Sequence, residues 1–401
     1  MLKKISIVIA GTVLMTFGMG ASVKAASFNY EVVASGLDSP RGITFGPDGA
    51  LYVTEAGRGG AGPCIPPPAG SASSGPCYGE TGAITRIQNG ISQRVVTDLP
   101  SLASTREGVV AYGIQDIAFD STGKPYAIIG YAGDPTLRSS VIGNSDFAQL
   151  FAINNLNGGA SLTRLADLGA YEVANNPDND DVVSNPYAFL IQDGKAFIVD
   201  AGANDLLNAG LDGSGLAVQS VFSKRLITNP ASGANIPLQS VPTSIAIGPD
   251  KALYVGEFTG APYPAGQARI YRINSNNQPE VYLDGFTNII DLAFDSKSNL
   301  YVLEYAANSL ASTSPIGALI RVDSNGSRTT ITSELISPTS LTLGSDGAIY
   351  VANKGFLPEE GQIIKITPHN NSTSVPEPTL TLGMLAFGAY ACFWRPQRKN
   401  Q

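Results

Sequence analysis

The sequence predicts an all-β fold, a six-bladed β-propeller of four-stranded antiparallel blades, from three observations: a segment that recurs six times, a pair of short β-type runs in each copy, and copy spacings of blade length. The clearest copy is SPRGITFGPDGALYVTEAG at 39–57, and weaker copies begin at Gly113, Asn185, Val241, Asn288 and Ser337. Aligned on the aromatic of the second run, the anchors are Tyr52, Tyr126, Phe197, Tyr254, Tyr301 and Tyr350, roughly 74, 71, 57, 47 and 49 residues apart. The uneven spacing means that loops vary while the unit persists.

Each copy sets a run such as GITF or DIAF before a Gly/Asp turn and a second run rich in Tyr, Val and Ile. Two such runs across a Gly/Asp turn read as an antiparallel hairpin. A second hairpin follows in most copies: AITRIQNGISQRVVTDL at 83–99, ARIYRINSNNQPEVYLDG at 268–285 and ALIRVDSNGSRTTITSEL at 318–335. The last copy supplies only three runs, ending in GQIIKITP at 361–368, while FNYEVVASGL at 28–37 precedes the first. Pairing these two ends closes the ring and removes an open sheet edge. The competing arrangements are a seventh, degenerate blade or an open solenoid.

Both ends of the chain read as addresses. Lys3 and Lys4 precede an apolar stretch, and Val23, Lys24 and Ala25 form a small-residue cleavage site, so residues 1–25 read as a secretory signal peptide. The propeller then spans 26–368 and a polar linker 369–375. Residues 376–401 hold an apolar run from Thr379 to Trp394 and a basic tip of Arg395, Arg398 and Lys399. With Val375, Pro376, Glu377 and Pro378 at its head, this end resembles the PEP-CTERM sorting signal, which implies recognition by an exosortase and transient membrane contact. The alternative is a plain C-terminal anchor.

The chain carries a net charge of −8, and loss of both basic ends takes it to −14 when Glu377 is retained. Such a surface repels nucleic acid and anionic lipid. With 14% charged and 43% hydrophobic residues, the chain can supply the apolar strands that blades pack between them. Cys64 and Cys77 bracket CIPPPAGSASSGPC and are expected to form a disulfide in an oxidising compartment. Closing a loop of about 14 residues lowers unfolded-state entropy by roughly 3 kcal/mol. The thiols are too far apart in sequence for a C-x-x-C metal site, and Cys392 lies in the tail.

Blade topology places function on one face. The turns GPDGA, DSTGK, GPDKA, IQNGI and DSNGS are tight, whereas the connections 56–82, 131–146, 256–267 and 305–317 between second and third strands are long. So are 100–113, 169–185 and 223–241 between blades, all on the opposite face, and long loops on a rigid scaffold are where binding is built. On that face second strands end in Glu55, Asp200, Glu257 and Glu304, with Asn353 in the last copy, and first strands begin at Arg41, Asp116 and Asp291. These are the candidate ligand-binding residues. Glu55, Asp116, Asp291 and Glu304 are also candidate ligands for Ca²⁺, which takes six to eight oxygens. The structural alternative is that each acid bonds the backbone of a neighbouring loop. The run NNPDNDD at 175–181 is a second Ca²⁺ candidate or a solvated acidic loop. Arg58, Arg106, Glu80 and Glu107 lie in loops of this face and suit an acidic or phenolic ligand. The single histidine, His369, follows the last strand, so no His-assisted nucleophile or His-rich metal site can be assembled.

The P-x-x-I-x-F-G-P-D-G-x-L-Y-V-x-E pattern resembles the NHL and gluconolactonase type of six-bladed propeller. With the signal peptide, the Cys-bracketed insert, the AITRI strand and the sorting tail, nearly the whole chain resembles the ScyD/ScyE family. Those proteins are encoded with enzymes for scytonemin, a cyanobacterial sunscreen pigment assembled outside the cytoplasm. The resemblance implies an exported protein of the periplasm or outer envelope, a binding or accessory protein for a small aromatic ligand or an envelope component. It supplies no catalytic residues. The alternative is an enzyme: a Ca²⁺-dependent lactonase of the gluconolactonase kind, or one that couples the pigment monomer oxidatively.

Overall fold

A computed structural model describes residues 28–66, 75–104, 110–229 and 232–368. They form six four-stranded antiparallel sheets and one separate two-stranded hairpin. The first blade holds Pro40–Phe45, Leu51–Glu55, Pro76–Gln88 and Ile91–Ser104 in that order from centre to rim. The next four blades repeat this order from the strands Ile114–Phe119, Pro186–Gln192, Pro242–Ile247 and Ile289–Phe294. The sixth combines Ser340–Leu343, Ile349–Asn353 and Gly361–Pro368 with Phe28–Leu37 as its outer strand. Phe28 lies opposite Pro368 and Leu37 opposite Gly361, so the N-terminal strand closes the ring as expected. Innermost strands contact one another in cyclic order, including first against last, which leaves no seventh blade and no open solenoid among the described residues.

The repeat has a physical basis. In five blades the anchor tyrosine hydroxyl donates to the aspartate of the preceding turn: Tyr52 to Asp48 at 3.1 Å, Tyr126 to Asp120 at 3.2 Å, Tyr254 to Asp250 at 3.4 Å, Tyr301 to Asp295 at 3.4 Å and Tyr350 to Asp346 at 3.0 Å. The other carboxylate oxygen of each aspartate accepts a backbone N–H within the turn, as Asp48 does from Ala50. One acid therefore fixes both the turn and the strand that leaves it. Phe197 lacks the hydroxyl and stands as the exception. The core lies in apolar layers between blades, such as Ile84, Leu102, Ile117, Ile129 and Phe151 between the first two.

Three features depart from the sequence reading. The third strand of the first blade begins at Pro76 rather than near Ala83. Ile65 donates to Pro76, and Tyr78 exchanges bonds with Gly62 and Pro63, so the insert pairs back on this extension. The Cys64–Cys77 disulfide joins the two, as the sequence led us to expect. Secondly, the 169–185 connection carries a helix, Leu168–Asn175, whose N-cap Asp167 accepts from Ala170. Thirdly, 223–241 holds the hairpin Arg225–Thr228 and Asn235–Leu238. The segments read from the sequence as signal peptide, linker and sorting signal, with Val375, Pro376, Glu377 and Pro378, lie outside the described residues, as do Arg106, Glu107, His369 and Cys392.

Candidate functional site

The six innermost strands line a central channel of about 400 Å³. Asp116 and Asp291 both enter it, each hydrogen-bonded within its own blade and to the next. Asp116 accepts from Ile117 at 2.8 Å and from Phe189 of the next blade at 3.0 Å. Asp291 accepts from Leu292 at 2.8 Å, and from the Ser340 hydroxyl and Leu341 amide of the next blade, both at 2.7 Å. Each acid is a strut between neighbouring blades. Gly42 makes room for one of them, since a Cβ there would sit 2.2 Å from Asp116 Oδ1. Burial raises both carboxyls, Asp116 to about 8 with a further push from Asp291, and Asp291 to about 6.

The acids that end the second strands serve the chain that enters their own blade. Glu55 accepts the Asp38 amide at 2.6 Å, the Thr85 hydroxyl at 2.5 Å and the Arg94 guanidinium at 2.6 Å. Asp200 accepts the amides of Asn185, Gly202 and Ala203 and the Ser184 hydroxyl. Glu257 takes a two-pronged contact from Arg225 with bonds from Ser240 and Tyr271. Glu304 accepts the Thr287 amide at 2.7 Å, and Asn353 accepts that of Ile336 at 2.8 Å. Burial raises Glu304 to about 7, and it raises Glu257 despite the opposing pull of Arg225.

The proposed Ca²⁺ ligands are therefore not brought together. Asp116 and Asp291 line the channel, whereas Glu55 and Glu304 do not, and each is committed to a loop of its own blade. Among the described residues, no three His, Cys, Asp or Glu side chains cluster to hold a metal.

A larger cavity of about 590 Å³ opens on the loop face above the channel. At its base lies Arg41, 2% exposed, whose guanidinium donates to the carbonyls of Pro40 at 3.3 Å, Ala111 at 2.6 Å and Gly355. Its plane meets the Phe356 ring at 4.2 Å. Among the described residues no carboxylate pairs with it, although a buried cation normally has one. Burial lowers its pKa, and the nearby phenols of Tyr187, Tyr305 and Tyr112 act the other way. Arginine remains charged throughout.

Aromatic rings form an arc around this cation. Tyr263 lies 6.2 Å from Phe258, Phe258 5.7 Å from Tyr305, and Tyr305 5.4 Å from Phe356, centroid to centroid. Tyr112 and Tyr187 also line it. The Tyr187 hydroxyl is buried with no hydrogen-bond partner, and burial pushes its phenol far up, so it remains a proton donor. On the far wall stand Asp180 and Asp181, the former held by Lys224 and Gln239, both at 2.8 Å.

Of the sequence candidates, Arg41 reaches this cavity, as do Asp180 and Asp181 of the 175–181 run. Arg58 is exposed and pairs with Glu359, and Glu80 accepts from the Tyr78 hydroxyl on the surface. Sequence reasoning passed over the aromatics. Their signal was present: Phe258 and Tyr305 directly follow the acids Glu257 and Glu304, where the chain turns from the second strand into the loop face.

No family model and no curated protein matches the chain. Solved structures do. A Thermus thermophilus protein assigned as an oxidoreductase (glucose dehydrogenase) covers 85% of this chain and 100% of its own, at 16% identity and TM-score 0.53. A Bacteroides thetaiotaomicron protein of unknown function covers 85% of this chain and 76% of its own, at 10% identity and TM-score 0.52. The calcium structure of a Trichoderma reesei family AA12 carbohydrate-active enzyme covers 88% and 99%, at 11% identity and TM-score 0.50. The shared property is the fold. At these identities an activity does not transfer with it.

Proposed function

We propose that this is an exported binding protein whose loop-face cavity holds a planar aromatic small molecule bearing an anionic or strongly accepting group. The observation that carries the reading is Arg41 and Tyr187 lining one cavity: among the described residues the buried cation has no acid partner and the buried hydroxyl has no hydrogen-bond partner. Both lack what such a ligand brings, and the arc from Tyr263 to Phe356 supplies faces on which its ring stacks. A volume of about 590 Å³ suits a small organic molecule. In this reading the two chain ends direct export and envelope sorting, and the ligand belongs to the assembly of a scytonemin-like aromatic pigment outside the cytoplasm.

Binding is preferred to turnover because the second-strand acids are committed to the scaffold and the wall acid Asp180 is held by Lys224 and Gln239. The test is calorimetric titration with cinnamate and an indole carboxylate, each against its methyl ester, alongside turnover assays on lactones and phenols. Tighter binding of the acids, by about tenfold, with no turnover is the expected result. Equal affinity for acid and ester, or turnover that survives Arg41→Met, overturns it.

A further inference from the structure

Glu172, on the helix between the second and third blades, is 2% exposed, and Asp205, which starts the third strand of the third blade, is 1% exposed. Among the described residues, none of their four carboxylate oxygens has a partner at hydrogen-bond geometry. The contrast with Asp200 is sharp: it lies directly opposite Asp205 in the sheet and takes four bonds. Burial of an ionised carboxylate without a donor is prohibitive unless a proton or a cation neutralises it.

The surroundings favour a cation. Asn176 caps the helix in the left-handed region through its backbone N–H, which donates to the Glu172 carbonyl at 2.8 Å, while its side-chain NH₂ donates to the Asp180 carbonyl at 2.7 Å and its Oδ1 is buried and unpartnered as well. Asp178 of the same loop accepts from Asn204 at 2.9 Å, which docks residues 176–180 over the turn before Asp205. The negative charges of Asp200, Glu172 and Asp178 act on Asp205, and those of Asp200 and Asp178 act on Glu172. No Lys or Arg pairs with Glu172 or Asp205 among the described residues. The Val183 amide faces Glu172 without completing a hydrogen bond.

We propose that Glu172 and Asp205, with the amide oxygen of Asn176, form a buried Ca²⁺ site that ties the 168–185 connection to the third blade. An all-oxygen set of carboxylates and amide carbonyls selects a hard cation, and an irregular loop that adds backbone oxygens suits the larger, more flexible shell of Ca²⁺ over Mg²⁺. The set has two carboxylates rather than three, with neutral oxygens making up the number. Glu172, Asn176 and Asp205 do not themselves line the Arg41 cavity or the channel, although Asp180, Asp181 and Val183 of the same connection form part of the cavity wall, and Ca²⁺ binding is measured without any aromatic ligand.

The experiment uses the purified protein, with CaCl₂ or MgCl₂ alone as probe, and reads metal content by mass spectrometry and the thermal midpoint with and without EGTA at pH 7.5. One Ca²⁺ per chain is expected, with EGTA lowering the midpoint by about 5 °C and Mg²⁺ failing to restore it. Glu172→Gln and Asp205→Asn remove a buried charge and are expected to fold, to bind no Ca²⁺ and to melt at one temperature with or without EGTA. Either variant suffices if the other does not fold. Absence of stoichiometric Ca²⁺, equal rescue by Mg²⁺, or an EGTA response that persists in a folded variant overturns the proposal; a midpoint in EGTA that matches the Ca²⁺ value would overturn it too, identifying the pair as simply protonated.

Discussion

The Arg41 guanidinium lies 4.2 Å from the centre of the Phe356 ring and also donates to the carbonyl of Gly355, the residue just before it. Arg41 starts the first blade and Phe356 follows the second strand of the sixth, so one side chain spans the seam where the ring closes and forms the floor of the loop-face cavity.

Arg41→Lys keeps the charge and loses the planar fork that reaches Ala111 and Gly355 together. Carbonyls left unanswered in the interior cost free energy. Urea denaturation is expected to show a loss of about 2 kcal/mol. A loss smaller than about 0.5 kcal/mol would mean that these bonds do not hold the seam.

Removal of residues 28–37 strips the outer strand from the sixth blade and exposes the edge of Gly361–Pro368. An unpaired edge recruits other chains. The truncated protein is expected to elute as oligomers and to lose its single cooperative melt. A monomer with the parent's melting curve would show that closure contributes little.

Glu304 titrates near 7 and Asp291 near 6 because burial disfavours their charged forms. Their folded pKa values exceed those of the unfolded chain, so the folded state holds protons that unfolding releases. That contribution is complete below about pH 4 and is lost as pH rises through 6 to 7. In EGTA the midpoint should therefore fall between pH 5 and pH 8. Glu304→Gln keeps an acceptor for the Thr287 amide while removing the titration, and should flatten that slope. A slope unchanged in the variant would assign the effect elsewhere.

The fold was legible because its signals are local: the Tyr–Asp turn pair marks the inner hairpin of five blades, as with Tyr52 and Asp48. The strand-end acids were equally visible, but their role was not, because Glu55 and its partner Arg94 are 39 residues apart and meet only across the blade. The cavity was harder still. Arg41, Tyr187, Tyr263 and Phe356 come from four different blades, and only closure of the ring brings them to one mouth. Glu172 and Asp205 are likewise far apart in sequence, one on the helix Leu168–Asn175 and one at the start of a third-blade strand.

The most direct test of the aromatic-ligand cavity is Tyr187→Phe, titrated with the same aromatic acid as the wild type. The substitution deletes a hydroxyl that has no partner among the described residues, so folding should lose nothing and the thermal midpoint should stay level or rise. Affinity for the acid is expected to fall about tenfold, one hydrogen bond to a charged acceptor. Undiminished affinity in a folded Tyr187→Phe protein would contradict the assignment of this cavity as the binding site.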